Sequence, residues 1–181
     1  MAKANKRKQI SAFRVRTAWQ SNIQAARNAG FCEYVIEAIE DDHDGLRLCW
    51  CCGARGYQEV AHIVPHSLGG RSTPTNLFLL CNECHVQSPD FLDPKAFIQF
   101  VNGNSGKASE ALNDVLRYGV EQIKTLASED PAKAESIFQN FGPRLDAALK
   151  ESGAMTSAHG ANVSLSTQMA RIVYAINSAL K

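Results

Sequence analysis

The chain has little that would commit it to a membrane, a fibre or an export route. None of its 181 residues fall in an apolar run approaching the ~18 that a membrane-spanning helix needs. No signal peptide follows the basic start, so neither export nor a membrane span is expected and the cytoplasm is the expected compartment. There is no internal repeat and no heptad array, which argues against a solenoid or a long coiled coil. Net charge is also scarce. The 19 Lys and Arg against 18 Asp and Glu leave +1, and charged residues make up 20% of the chain, slightly under the ordinary share. What is present in quantity is apolar: 45% hydrophobic residues suffice for the core of one domain with additions.

The small net charge hides an asymmetry. Residues 1–30 carry Lys3, Lys6, Arg7, Lys8, Arg14, Arg16 and Arg27 with no acid, whereas 31–44 carry Glu33, Glu37, Glu40, Asp41, Asp42 and Asp44 with no Lys or Arg. The first segment reads as an arm that tracks phosphates, with Phe13 and Trp19 either packing it or stacking on bases. The bland alternative is a solvated tail and helix face. The acidic run around His43 reads as an exposed loop.

Of the six cysteines, four stand in two pairs, Cys49-Trp50-Cys51-Cys52 and Cys81-Asn82-Glu83-Cys84. The C-x-x-C spacing lets two thiolates from one tight turn reach a single tetrahedral cation, and the second pair follows 29 residues after Cys52, within reach of a hairpin. Redox-active pairs are the competing reading, but the βαβ pattern that accompanies them is absent. A structural zinc held by Cys49, Cys52, Cys81 and Cys84 is therefore expected, in keeping with a reducing compartment. Cys51 could replace Cys49 or Cys52, although spacing favours the outer pair. Cys32, isolated among apolar neighbours, reads as a buried small hydrophobe.

Between and beside the pairs stand His62-Ile63-Val64-Pro65, Leu68-Gly69-Gly70, Asn76-Leu77 and Leu80-Cys81-Asn82-Glu83-Cys84-His85. On these elements the stretch from Cys49 to His85 resembles the HNH endonuclease family of ββα-metal nucleases. The resemblance implies DNA phosphodiester hydrolysis, with His62 as general base, Asn76 holding its loop and imidazole, and His85 as ligand of a catalytic divalent metal, Mg2+ or another. The chemistry agrees with those residue types. Hydrolysis needs an activated water, neutralised phosphoryl oxygens and a stabilised leaving alkoxide, and a neutral imidazole suits the first of these needs.

The chain also departs from the family. The position before the base histidine, often a metal-binding Asp or His, is Ala61, and the position four after His85 is Pro89. Neither can coordinate. Magnesium-like ions tolerate few protein ligands because they keep waters and take substrate phosphate oxygens. Asp90 and Asp93 are candidates for the missing carboxylate, though Asp93 before Pro94 reads better as a helix cap. His66 is either a phosphate or metal contact or a solvated loop residue. His159 lies in a stretch of small residues that could fold back onto the site.

The fold class expected is α+β: a small zinc-stapled ββα-metal (HNH) core with flanking N- and C-terminal helices. A basic arm and helix occupy 1–45, the nuclease core 46–101 and a helical region 102–181. One helix is expected over 9–29, ending at Gly30, with helix continuing through 34–39. Strands are expected over 46–52 and 57–64, joined through the first knuckle, followed by the Pro65–Thr75 loop with its phosphate-approaching glycines. Helices follow over 94–101, 107–127, 131–151 and 166–180, with 153–163 as a linker. Their apolar stripes, such as Leu112, Val115, Leu116, Val120 and Ile123, read as core. DNA is the expected partner. Two other classes stand beside the enzyme: a zinc-dependent DNA-binding module that has lost cleavage, and a phage or mobile-element assembly factor docking through its C-terminal helices. Biological role, sequence preference and oligomeric state are not legible.

Overall fold

A computed structural model describes residues 10–156 and 163–181. The basic residues Lys3, Lys6, Arg7 and Lys8, and His159, lie outside the described residues. The chain divides into two compact units, 1–106 and 107–181.

The first unit opens with three short helices: α1 (Ala12–Gln20), α2 (Ile23–Ala29) and α3 (Glu33–Asp41). Ser11 caps α1 by accepting a hydrogen bond from the Arg14 amide. The single helix expected over 9–29 is broken, because Asn22 takes φ −142° and ψ 54°, outside the helical region. After Asp41 the chain passes through the first cysteine pair and enters a two-stranded antiparallel sheet, β1 (Glu59–His62) and β2 (Leu77–Leu80). Glu59 lies opposite Leu80, Ala61 opposite Phe78 and His62 opposite Leu77. Two helices close the unit, α4 (Asn82–Gln87) and α5 (Pro94–Gly103). Asp93 does cap α5, its Oδ1 accepting from the Lys95 amide at 3.0 Å with Pro94 in the first turn.

The expected first strand, 46–52, is not one: only isolated bridges pair His43 with Leu46 and Leu48 with Arg55. Side chains have taken the backbone groups a ladder would use. The Leu48 amide donates to Asp42 Oδ1 (3.1 Å) and its carbonyl accepts from Gln58 Nε2 (2.7 Å). The ββ pair of the core is thus β1 with β2.

Phe78 is the hub of the core. Its ring stacks on Phe31 at 4.8 Å and meets Trp50, Phe97 and Trp19 edge-on at 4.9, 5.5 and 6.0 Å. Trp19 is therefore core rather than a base-stacking residue, and its Nε1 donates to the Leu77 carbonyl at 2.7 Å. Beside this apolar centre lies a buried polar one. Asp42 accepts from Arg16 Nε (3.0 Å), Trp50 Nε1 (3.0 Å) and Gln58 Nε2 (2.7 Å) in addition to Leu48. Two expectations fall here. The acidic run is not wholly exposed, since Asp42 is buried, and Arg16 does not track phosphates, since its guanidinium is buried against Asp42 and reaches Asp44 at 2.8 Å. Arg27 is likewise paired, with Glu33. Cys32 is only half-buried, at the start of α3.

The second unit is helical: α6 (Lys107–Glu129), α7 (Pro131–Met155) and α8 (Leu165–Ala179) pack on one another. Asp130 and Ser164 cap α7 and α8. Pro143 lies within α7, which runs on through it to Met155 rather than ending near 151. Close packing follows small residues. Gly119 abuts Ile176, and Ala134, Ala148, Ala175 and Ala179 are buried. Of the stripe expected to be core on α6, Val115 is buried while Leu112, Leu116 and Val120 are exposed. No helix among the described residues is long and apolar enough to cross a membrane.

Candidate metal centre and adjoining cleft

The two cysteine pairs meet. The sulfurs of Cys49, Cys52, Cys81 and Cys84 all lie within 4.8 Å of one another, with Cys52 and Cys81 at 3.9 Å. Each pair sits in a tight turn. In the first, the Cys49 amide donates to the Ala54 carbonyl and the Gly53 amide to the Cys49 carbonyl, both at 2.8 Å. In the second, Cys81 caps α4, its sulfur accepting from the Cys84 amide at 3.5 Å. A bond from the Trp50 amide to the Leu79 carbonyl (3.0 Å) ties the first turn to the strand that leads into the second. Cys51 turns elsewhere, its sulfur 3.8 Å from the Val101 carbonyl.

Burial pushes the Cys49 thiol well above its ordinary pKa, while the hydrogen bond from Cys49 holds Cys81 below its own. Four sulfurs this close cannot all ionise beside one another, and a doubly charged cation removes that conflict. The donor set and its packing fit a tetrahedral zinc.

Next to this centre is a cleft of about 450 Å³ lined by Glu59, His62, His66, His85, Val86 and Asp90, among others. His62 closes β1, and its Nε2 lies 3.3 Å from Ser72 Oγ. His85 lies on α4, with Nδ1 2.7 Å from Glu59 Oε2. His66, on a short 3-10 turn, has its ring 6.5 Å from that of His62.

Asn76 does not line the cleft but shapes its wall. Its Oδ1 accepts from the Val64 amide (3.0 Å), and its Nδ2 donates to the Val64 and Arg71 carbonyls (2.9 and 3.0 Å). The loop 65–75 is thereby pinned at both ends. The glycines there serve the loop itself. Gly69 takes φ 88°, and a Cβ on Gly70 would stand 1.8 Å from the Val64 carbonyl oxygen.

Of the residues singled out from sequence, His62, His66, His85 and Asp90 come together in the cleft, and the four cysteines come together in their own cluster. Asp93 is a helix cap, and Ala61 is almost fully buried, at 1% exposure. Glu59 was missed. Its distance in sequence from His85 conceals a contact that only the pairing of β1 with β2, which leads directly into α4, brings about.

Outside the cysteine centre, no three His, Cys, Asp or Glu side chains among the described residues gather closely enough to hold an ion by themselves.

A two-stranded sheet, a helix bearing a histidine and a four-cysteine knot define a cysteine-stapled ββα architecture of α+β class. Residues 49–101 match the model of the HNH endonuclease family. None of the curated proteins or solved structures compared with the chain matches it.

Proposed function

We propose that the protein is a metal-dependent endonuclease that hydrolyses DNA phosphodiester bonds in the cleft between His62 and His85. The observation that carries this reading is the convergence of two histidines, from the end of β1 and from α4, on one open cleft beside the cysteine centre, within the segment that matches the HNH family. His62 takes the proton from the attacking water, its imidazole steadied by Ser72. Asn76 holds the loop that carries His62 into place through Val64 and Arg71. His85, with Asp90 in the same cleft, is the ligand set for a divalent cation such as Mg2+, and the cysteines hold zinc for structure. A bound cation supplies charge neutralisation at the phosphoryl oxygens and the leaving alkoxide. DNA contact by the basic residues 1–8 and a cytoplasmic location belong to the same reading.

The test is incubation of plasmid with the purified protein and Mg2+, Mn2+ or Ni2+. Cleavage is expected, with His62→Ala abolishing it while DNA binding and zinc content persist, because a general base contributes little to ground-state affinity. One observation favours a second reading, a DNA-binding module without cleavage: buried Ala61 offers no ligand where the family often has one. An inert wild type that binds DNA would decide for that reading.

A further inference from the structure

The observation with no role so far is the carboxylate of Glu59. It stands on β1 and reaches two residues of α4 at once, Oε1 accepting from Asn82 Nδ2 at 3.1 Å and Oε2 lying 2.7 Å from His85 Nδ1. Asn82 and His85 are three apart and share a helix face. The pair is only partly open to solvent, with side-chain exposures of 25% for Glu59 and 39% for His85.

We propose that Glu59 is a positioning residue that fixes the tautomer and direction of His85, so that Nε2 is the nitrogen presented to the cleft. A carboxylate only accepts, so the proton of this contact belongs to Nδ1, and in the neutral ring Nε2 then carries the lone pair. That nitrogen is the one a cation can use. A carboxylate bonded to the other nitrogen of a ligand imidazole also makes it a stronger donor. This matters more than usual where Ala61 contributes nothing, because binding then leans on His85 and Asp90 alone. The proposal rests on the reading of His85 as a cation ligand, but the tautomer itself exists without any cation.

The experiment uses the full zinc-loaded chain. Long-range 1H–15N spectra of the imidazoles, with His85 assigned by its loss in His85→Ala, report the tautomer, and Mn2+ titration followed by electron paramagnetic resonance reports cation affinity. The wild type is expected to hold His85 as the Nδ1–H form. Glu59→Ala should shift it towards Nε2–H and weaken Mn2+ binding by about 10–100-fold. Glu59→Gln keeps an acceptor of the same shape, so the tautomer should persist while Mn2+ binding weakens through loss of charge. That variant carries the test if Glu59→Ala fails to fold. An Nε2–H form in the wild type, or Mn2+ binding unchanged in both variants, overturns the proposal. The two readings fail separately. A wild type that cuts no DNA yet loses the Nδ1–H form in Glu59→Ala removes the nuclease and keeps the positioning role. One that cuts DNA with His85 in the Nε2–H form does the reverse.

Discussion

Replacing Asp42 with alanine should unfold the first unit long before it disturbs any chemistry. The Asp42 side chain has no solvent exposure and that of Arg16 has 6%, so neither ion can be rehydrated in place when the other is removed. Asp42→Ala strips Arg16, Gln58, Trp50 and the Leu48 amide of their common acceptor. Arg16 keeps Asp44 and the side-chain amide oxygen of Gln58, but Asp44 is 75% exposed and offsets little of the loss. Breaking a buried ion pair from one side costs about 3–5 kcal/mol. At roughly 4 °C or more per kcal/mol for a domain of this size, the midpoint should fall by more than ~10 °C. The assay is thermal unfolding with excess zinc, followed by tryptophan emission. Both tryptophans of the chain, Trp19 and Trp50, are buried in this unit. Asp41→Ala, at an exposed neighbouring position, is the control and should change stability by less than about 0.5 kcal/mol. A loss under ~1 kcal/mol in Asp42→Ala would refute the argument that this pair is held in a closed, low-dielectric site.

The purified chain should carry one zinc, and chelation or Cys81→Ala should unfold the first unit whereas Cys51→Ser should not; elemental analysis and circular dichroism check both. Ala61→Asp introduces a carboxylate at a position 1% exposed, so it should lower the melting temperature without divalent metal and recover on adding Mn2+; a shift indifferent to metal would show that a carboxylate at this buried position reaches no cation. Deleting residues 1–8 should flatten the salt dependence of DNA binding by up to ~0.9 in slope per lost phosphate contact, read from titrations at several salt concentrations. Asp44 and Glu33 are held below the usual carboxylate range by their hydrogen bonds with Arg16 and Arg27. Their stabilisation is present above the unfolded-state values near ~4 and disappears as pH falls through the lower folded-state values, so Asp44→Asn should flatten the stability profile only in acid.

The cysteine cluster and the capped helices were more legible than the segments between them. Cysteine spacing announces each pair, because metal-ligand geometry is local to each turn, and the Trp50–Leu79 bond ties the two turns together. Helices with their own caps, such as α5 behind Asp93 and α7 behind Asp130, were equally readable. What failed were segments whose backbone partners come from elsewhere. The β-like run 46–52 loses its ladder to Asp42 and Gln58, and nothing in its own residues announces that. Arg16 looked like one cation among seven, and only the turn after α3 brings Asp42 beneath it. Glu59 belongs to the same class, a contact made by strand pairing.

The zinc-type knot has a topological consequence. Cys52 and Cys81, 29 positions apart, close a loop that contains Glu59, His62 and Asn76, and His85 follows directly on its closure. Cross-linking a loop of that length removes roughly 3–4 kcal/mol of chain entropy from the unfolded ensemble. The residues proposed for chemistry therefore hang on one clasp, which His85 joins directly through its amide bond to the Cys81 carbonyl. Opening the clasp, by a chelator or by oxidation of its thiols, would dissolve the whole cleft in a single event.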